Sequence, residues 1–308
     1  MTDTPSRCGF VAVIGAPNAG KSTLVNALVG TKVSIVSRKV QTTRMRIRGV
    51  AIHDETQLVL VDTPGIFVPK RRLDRAMVNA AWAGAAEADQ TCLLVDAADA
   101  LESPNGYSAR DTDRIIEGLN GAERSTILVL NKIDGLSRDR LLPLLDGISK
   151  KSNFSSVFLI SAEKGHGVND LKKSLASLMP VGPWAYPADQ AADMPIRLLA
   201  AEITRERIYD RLHQELPYAT SVITEQWLPM RDGSARLEQT IFVERESQRA
   251  IVLGKSGATI KLLGQTARKE MEGQFGHKVH LFLHVKVREN WADDPEHYRE
   301  MGLERPGD

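Results

Sequence analysis

Residues Gly15-Ala16-Pro17-Asn18-Ala19-Gly20-Lys21-Ser22 spell GxxxxGKS between an apolar run, Cys8–Ile14, and an amphipathic one, Lys21–Val29. A strand that feeds a helix through this spacing suits a phosphate. The glycines let successive backbone N–H groups curl around an anion, and the helix start adds partial positive charge. Lys21 can reach the outer phosphates, and the Ser22 hydroxyl can ligate Mg²⁺. Asp62-Thr63-Pro64-Gly65 ends a later apolar run. An aspartate at a strand's carboxyl end faces the crevice where ligands sit in parallel sheets. Asp62 can therefore hold Mg²⁺ through water, while the Gly65 N–H meets a γ-phosphate. Asn131-Lys132-Ile133-Asp134 follows the run Thr126–Leu130 and decides the base. Guanine offers N1–H and N2–H₂ together to one carboxylate, here Asp134. Adenine would leave that carboxylate without a donor, a loss of roughly 1–3 kcal/mol, which disfavours an ATPase. Asn131 can bind the base and steady the neighbouring loop, and the Lys132 stem can lie on the ring. In Ser161-Ala162-Glu163 the Ala162 N–H can meet guanine O6.

A second kind of chemistry lies near the other end. Gly254-Lys255-Ser256-Gly257 is a GxxG turn flanked by Ile251-Val252-Leu253 and Ala258-Thr259-Ile260-Lys261. Such a turn brings backbone close to a nucleic-acid strand, with its lysine near phosphates and helix N-termini aimed at them. Ile260 and its apolar neighbours would make a groove for unpaired bases. Lys261, Arg268 and Lys269 add charge along the following helix.

These residues need elements to hold them. Strands Cys8–Ile14, Gln57–Val61, Cys92–Val95, Thr126–Leu130 and Val157–Ile160 alternate with helices Lys21–Val29, Asp74–Ala86, Asp111–Leu119, Leu141–Ile148 and Val168–Leu178. That order implies a doubly wound, mostly parallel sheet. Arg44–Ile52, joined to Gln57–Val61 through the polar turn Asp54–Glu55, adds one antiparallel strand. Met179–Pro187 (MPVGPWAYP) breaks the alternation and reads as the start of a linker over residues 179–194. Beyond it a helix Pro195–Leu216, strands Ala219–Trp227 and Arg236–Val243, two helices around Gly257 and a strand Val279–Val287 form a smaller α+β domain. The domains are thus 7–178 and 195–290, with an acidic tail 291–308.

The 308 residues are 42% hydrophobic and 26% charged, with 40 Lys+Arg against 39 Asp+Glu, so any affinity for nucleic acid must come from a local patch. No run is long enough for a membrane span, and Met1–Arg7 lacks a secretory pattern. Cys8 and Cys92 fall in strands expected to be buried, as in a reducing compartment.

The four nucleotide motifs, in this order and at these strand ends, resemble the translation-factor-like P-loop GTPase superfamily over about residues 7–178. That resemblance makes Val33–Arg46 a switch segment in which Thr43, beside Thr42, closes on Mg²⁺ when a γ-phosphate is present. It also exposes a gap. Where small GTPases place a water-orienting glutamine, this chain has Ile66, which the resemblance also counts among the nucleotide contacts, and then Phe67, so intrinsic turnover should be slow. Charge would be offset by Lys21, Mg²⁺ and a monovalent cation, K⁺, for which Asn18 is the candidate ligand; capping of the loop by Asn18 is the other reading.

Helix–strand–strand–helix–GxxG–helix–strand, with IVLGKSGATIKLLG at the turn, resembles a type II KH domain and implies binding of single-stranded RNA. The pairing of the two domains is similar to the Era family of bacterial GTPases, as are VSRKVQTTRMRI (Val36–Ile47), DTPGIFVPK and KVRENWADDPEHY. Departures are Val40, where that family usually has proline, and the long stretch Leu101–Arg110. The resemblance implies a monomeric, GTP- and GDP-binding factor in maturation of the 30S subunit. It would bind the 3′ region of 16S rRNA, reside in the cytoplasm and associate peripherally with the inner membrane. An RNA-binding assembly protein whose nucleotide is structural is the alternative.

Overall fold

The computed structural model describes residues 5–37, 39, 42–122, 125–212, 216–291 and 303. Arg38 and Val40 of the switch segment, and the tail at 292–302 and 304–308, lie outside the described residues. The chain divides into two compact units, with the break between Asp193 and Met194.

In the first unit strands β1 (Arg7–Ile14), β2 (Ile47–His53), β3 (Thr56–Asp62), β4 (Gln90–Asp96), β5 (Thr126–Asn131), β6 (Phe154–Leu159) and β7 (Ala192–Asp193) form one sheet. Their order is β6-β5-β4-β1-β3-β2-β7. β1 pairs in parallel with β3 and β4, β4 with β5, and β5 with β6, while β2 runs antiparallel to β3. Strand residues alternate between two cores. Val11, Val13, Cys92, Leu94, Ile127 and Val129 pack with helices α1 (Lys21–Val29) and α6 (Val168–Leu178). Ala12, Ile14, Leu93, Val95, Leu128 and Leu130 pack with α2 (Arg72–Glu87), α4 (Tyr107–Gly121) and α5 (Arg138–Ser149). Both faces are covered, which is why these strands read as nearly continuous apolar runs.

Several elements differ from the sequence reading. Arg44 and Met45 are buried but precede β2, which starts at Ile47. The stretch Leu101–Arg110 joins two helices: α3 (Ala97–Glu102), which the sequence reading lacked, and α4. Cys8 is half-buried; Cys92 is buried, which pushes its thiol up to about 12.

The stretch expected as a linker is strapped along the first sheet. Cys8 N donates to Pro180 O (3.1 Å) and Val50 N to Ala191 O (2.8 Å), and β7 pairs antiparallel with β2. Gln57, fully buried, is the clasp. Its Oε1 accepts from Ala185 N (2.9 Å) and Tyr186 N (3.0 Å), and its Nε2 donates to Tyr186 O (2.8 Å).

The second unit holds α7 (Ile196–Arg211), β8 (Thr220–Pro229), β9 (Ala235–Val243), α8 (Glu246–Leu253), α9 (Ala258–Phe275) and β10 (Val279–Val287). α7 stops at Arg211, short of the expected Leu216. The sheet order is β10-β9-β8, with β8 antiparallel and β10 parallel to β9. A parallel pair needs a crossover, and the α8–α9 pair supplies it. Among the described residues no helix is long and apolar enough to cross a membrane.

Replacing Gln57 by leucine removes three strap hydrogen bonds, and the half-exposed strap recovers part of them from water. The expected cost is about 1 kcal/mol, with faster amide exchange at Ala185 and Tyr186. Unchanged protection there would show that the strap does not depend on Gln57.

Candidate functional site

The four nucleotide motifs leave the sheet at the carboxyl ends of β1, β3, β5 and β6, on one edge. The loop after β1 turns through a left-handed Asn18 (φ 62°), and Gly20 (φ 96°) delivers the chain into α1. A Cβ on Gly20 would stand 2.4 Å from Asn131 Nδ2, so only glycine fits there. Lys21 is buried, with Nζ on the carbonyls of Ala16 (2.9 Å) and Gly15 (3.3 Å). Burial lowers its pKa to about 8, against the opposing pull of Asp62.

The three expected metal ligands meet. Ser22 Oγ donates to Asp62 Oδ2 (2.7 Å) and lies 2.8 Å from Thr43 Oγ1, which itself stands 3.5 Å from Asp62 Oδ2. Asp62 is fully buried, and among the described residues its Oδ1 has no hydrogen-bond partner. Burial pushes its pKa up, while the Ser22 hydroxyl and the Lys21 charge oppose that. An orphaned carboxylate oxygen beside two hydroxyls is a hard-oxygen donor set, which fits Mg²⁺. Among the described residues no cluster of His, Cys, Asp and Glu makes another metal site.

The loops are tied to one another. Thr63 Oγ1 donates to Val13 O (2.8 Å) and Ile66 N to Gly15 O (3.1 Å). A Cβ on Gly65 would touch Pro17 at 3.0 Å, so the loop after β3 lies against the phosphate loop. Asn131 is buried and spans two loops, with Nδ2 on Ala19 O (2.9 Å) and Oδ1 accepting from Ala162 N (2.9 Å). Asp134 is exposed, and a hydrogen bond from the Ser161 hydroxyl holds its carboxyl below the usual range. Glu163 is exposed, and Ile133 N donates to Ile160 O (3.3 Å).

Two expectations change. The Ala162 N–H assigned to guanine O6 donates to Asn131 instead. Ile66, counted among the nucleotide contacts, sits in the core under α2, its N–H spent on Gly15. Lys132 (φ 60°) carries its Nζ to within 2.6 Å of Asp96 Oδ2. The sequence reading passed over Asp96, although the signal that marked Asp62, an aspartate ending a strand, was present there too.

In the second unit α8 ends at Leu253 with Gly254 as its C-cap, and a 3₁₀ turn (Lys255–Gly257) leads into α9. A Cβ on Gly254 would lie 2.1 Å from Thr259 Oγ1 and 2.9 Å from Thr259 N, so the loop can close on α9 only with glycine there. Lys255, Ser256, Lys261, Arg268 and Lys269 are exposed, and Ile260 packs partly on the core. Ile251, 57% exposed, stands beside the turn as an apolar surface.

Two family models match the chain: one described as 50S ribosome-binding GTPase over residues 10–132, and one described as KH domain over residues 215–292. The chain is 59% identical to GTPase Era of Afipia carboxidovorans over 302 residues, 98% of this chain and 96% of that protein. It is 58% identical to GTPase Era of Caulobacter vibrioides, with 99% of each covered. A crystal structure of Era in complex with MgGDPNP and nucleotides 1506–1542 of 16S ribosomal RNA matches with a TM-score of 0.89 at 38% identity. The match covers 96% of this chain and 99% of that one.

The Lys21 pKa of about 8 fixes a proton linkage. In the unfolded chain this lysine holds its proton to higher pH. Its burial therefore costs stability most fully below its folded pKa, and the cost is relieved as pH climbs toward the unfolded value. A bound phosphate reverses the shift and draws the proton back. Nucleotide affinity should fall as pH rises through the folded value, with proton uptake on binding just above it. Calorimetry in two buffers of different ionisation enthalpy measures that uptake, and none found would refute the linkage.

Proposed function

The chain belongs to the Era family of GTPases, and from that premise we propose that it is a GTP-switched RNA-binding factor acting in maturation of the small ribosomal subunit. The observation that carries this reading is one chain holding both sites: the Ser22–Thr43–Asp62 cluster in the first unit and the glycine-clasped Gly254–Gly257 turn in the second.

The protein is a GTPase with a KH domain. In the proposed arrangement the phosphates lie on the Gly15–Ser22 loop. There the Lys21 ammonium leaves the Gly15 and Ala16 carbonyls to balance their charge. Ser22, Thr43 and Asp62 would hold Mg²⁺, which when bound supplies charge neutralisation at the β- and γ-oxygens. Asp134 reads guanine, and Asn131 keeps the loops on either side of the base in register. No side chain at Ile66 or Phe67 can hydrogen-bond a water, so hydrolysis rests on electrostatics and is slow. Asn18, exposed at the turn of the loop, is the proposed K⁺ ligand.

The RNA-bearing relative supports 16S rRNA as the partner. Its match spans both units, whereas the model described as 50S-binding covers only part of the first. Single-stranded RNA would lie along the Gly254–Gly257 turn. Ile260 would sit beneath the bases, and Lys255, Lys261, Arg268 and Lys269 would face phosphates. This reading makes the protein a cytoplasmic monomer with a fraction peripheral to the inner membrane.

The test is the affinity for an RNA from the 3′ end of 16S rRNA, measured with GTP analogue, with GDP and without nucleotide. A switch predicts at least roughly fivefold between the extremes; equal values would mean that the nucleotide is structural. Gly254→Asp should abolish RNA binding and leave nucleotide affinity alone. For the cation, wild-type turnover should be faster in KCl than in NaCl and Asn18→Ala should lose that difference; indifference in the wild type would remove K⁺ from the account.

A further inference from the structure

Asp96 is the last residue of β4, the strand between β1 and β5. Its two carboxylate oxygens have separate tasks. Oδ1 accepts the Asp99 N–H (3.1 Å) and caps α3, which ties the carboxylate to backbone. Oδ2 meets the Lys132 ammonium at 2.6 Å. The Asp96 side chain is 11% exposed and that of Lys132 43%, so a nearly buried anion anchors the tip of a half-exposed cation. The far end of the lysine stem also lies near the phosphate loop. Lys132 Cε stands 3.9 Å from the place a Cβ on Gly20 would take, beside the last residue of the phosphate loop. The stem thus runs from β5, past the phosphate loop, to the end of β4.

A lysine side chain carries about 2 kcal/mol of rotamer entropy when free. A flat apolar wall made from such a stem works as a binding surface only if that entropy is lost beforehand. We propose that Asp96 is a positioning residue of the guanine pocket: by holding the Lys132 ammonium it presets the lysine stem as the wall on which the base lies. The assignment rests on the guanine reading of Asn131–Asp134. Without the anchor, the stem must be ordered anew each time a nucleotide binds, and the bound nucleotide leaves sooner.

Asp96→Asn separates the two tasks, because its amide oxygen still caps α3 while the charge is gone. Asp96→Ser keeps the cap by other atoms and serves if the first variant fails to fold. Release of fluorescent GDP, followed by stopped flow, should quicken about fivefold in either, the upper end for a half-exposed ion pair. The KM for GTP should rise by a similar factor while kcat moves little. In a Lys132→Met background, which retains an apolar stem, adding Asp96→Asn should change nothing further. Wild-type release rates in both Asp96 variants would overturn the proposal. So would an equal acceleration in the Lys132→Met background, since Asp96 would then act through α3. A wild-type chain that binds ADP as well as GDP would instead sink the guanine reading itself, and a switch to xanthosine diphosphate in Asp134→Asn would uphold it.

Discussion

Asp62 carries its carboxylate where solvent does not reach, with Oδ2 on the Ser22 hydroxyl and Oδ1 without a hydrogen bond among the described residues. Burying a carboxylate is costly, and burial raises its pKa against the opposing pull of the Ser22, Ser34 and Thr43 hydroxyls and the Lys21 charge. The surrounding structure is arranged around that cost. Ser22 comes from the first turn of α1, Thr43 from the segment before β2, and Asp62 from the end of β3. Three stretches distant in sequence are brought together at one carboxylate, and a divalent cation is what would satisfy all of them at once. Lys21 stands close enough to pull on the same charge without pairing with it.

A site of this kind needs a stiff frame with a few movable parts, and the hydrogen bonds divide accordingly. Asn131, Thr63 and Ile66 link the loops by buried bonds that a nucleotide need not break. Asp134 and Asn18 face outward. The segment carrying Thr43 runs directly into β2, and β2 in turn holds β7, the last two residues of the first unit. The chain therefore offers a covalent and hydrogen-bonded route from Thr43 to the start of the KH unit. Two-state coupling requires only that GTP and GDP stabilise different positions along such a route.

Much of this was legible in the sequence, because the relevant signals are local. Alternating apolar runs gave the parallel sheet, and glycine spacing gave both loops. The strand-end aspartate rule found Asp62. The same rule applied evenly would have found Asp96, whose partner Lys132 lies in a motif already recognised. What was not legible involves contacts between distant residues. Met179–Pro187 has the composition of a free linker, and nothing nearby shows that a glutamine at position 57 clasps it. The fate of the Ala162 N–H was hidden for the same reason, since Asn131 offers two ends and sequence cannot say which loops they meet. Ile66 was misplaced because a hydrophobic residue beside a phosphate loop can face the ligand or the core, and burial decides between them.

The account turns on Asp62 being the anchor for a cation that closes the phosphate site, and a magnesium titration of GTP-analogue affinity asks this most directly. Wild-type affinity should climb steeply as Mg²⁺ replaces chelator, whereas Asp62→Asn, folded and still binding the base, should show a nearly flat response. The same magnesium dependence in both proteins would contradict the account, and so would a wild type indifferent to the ion.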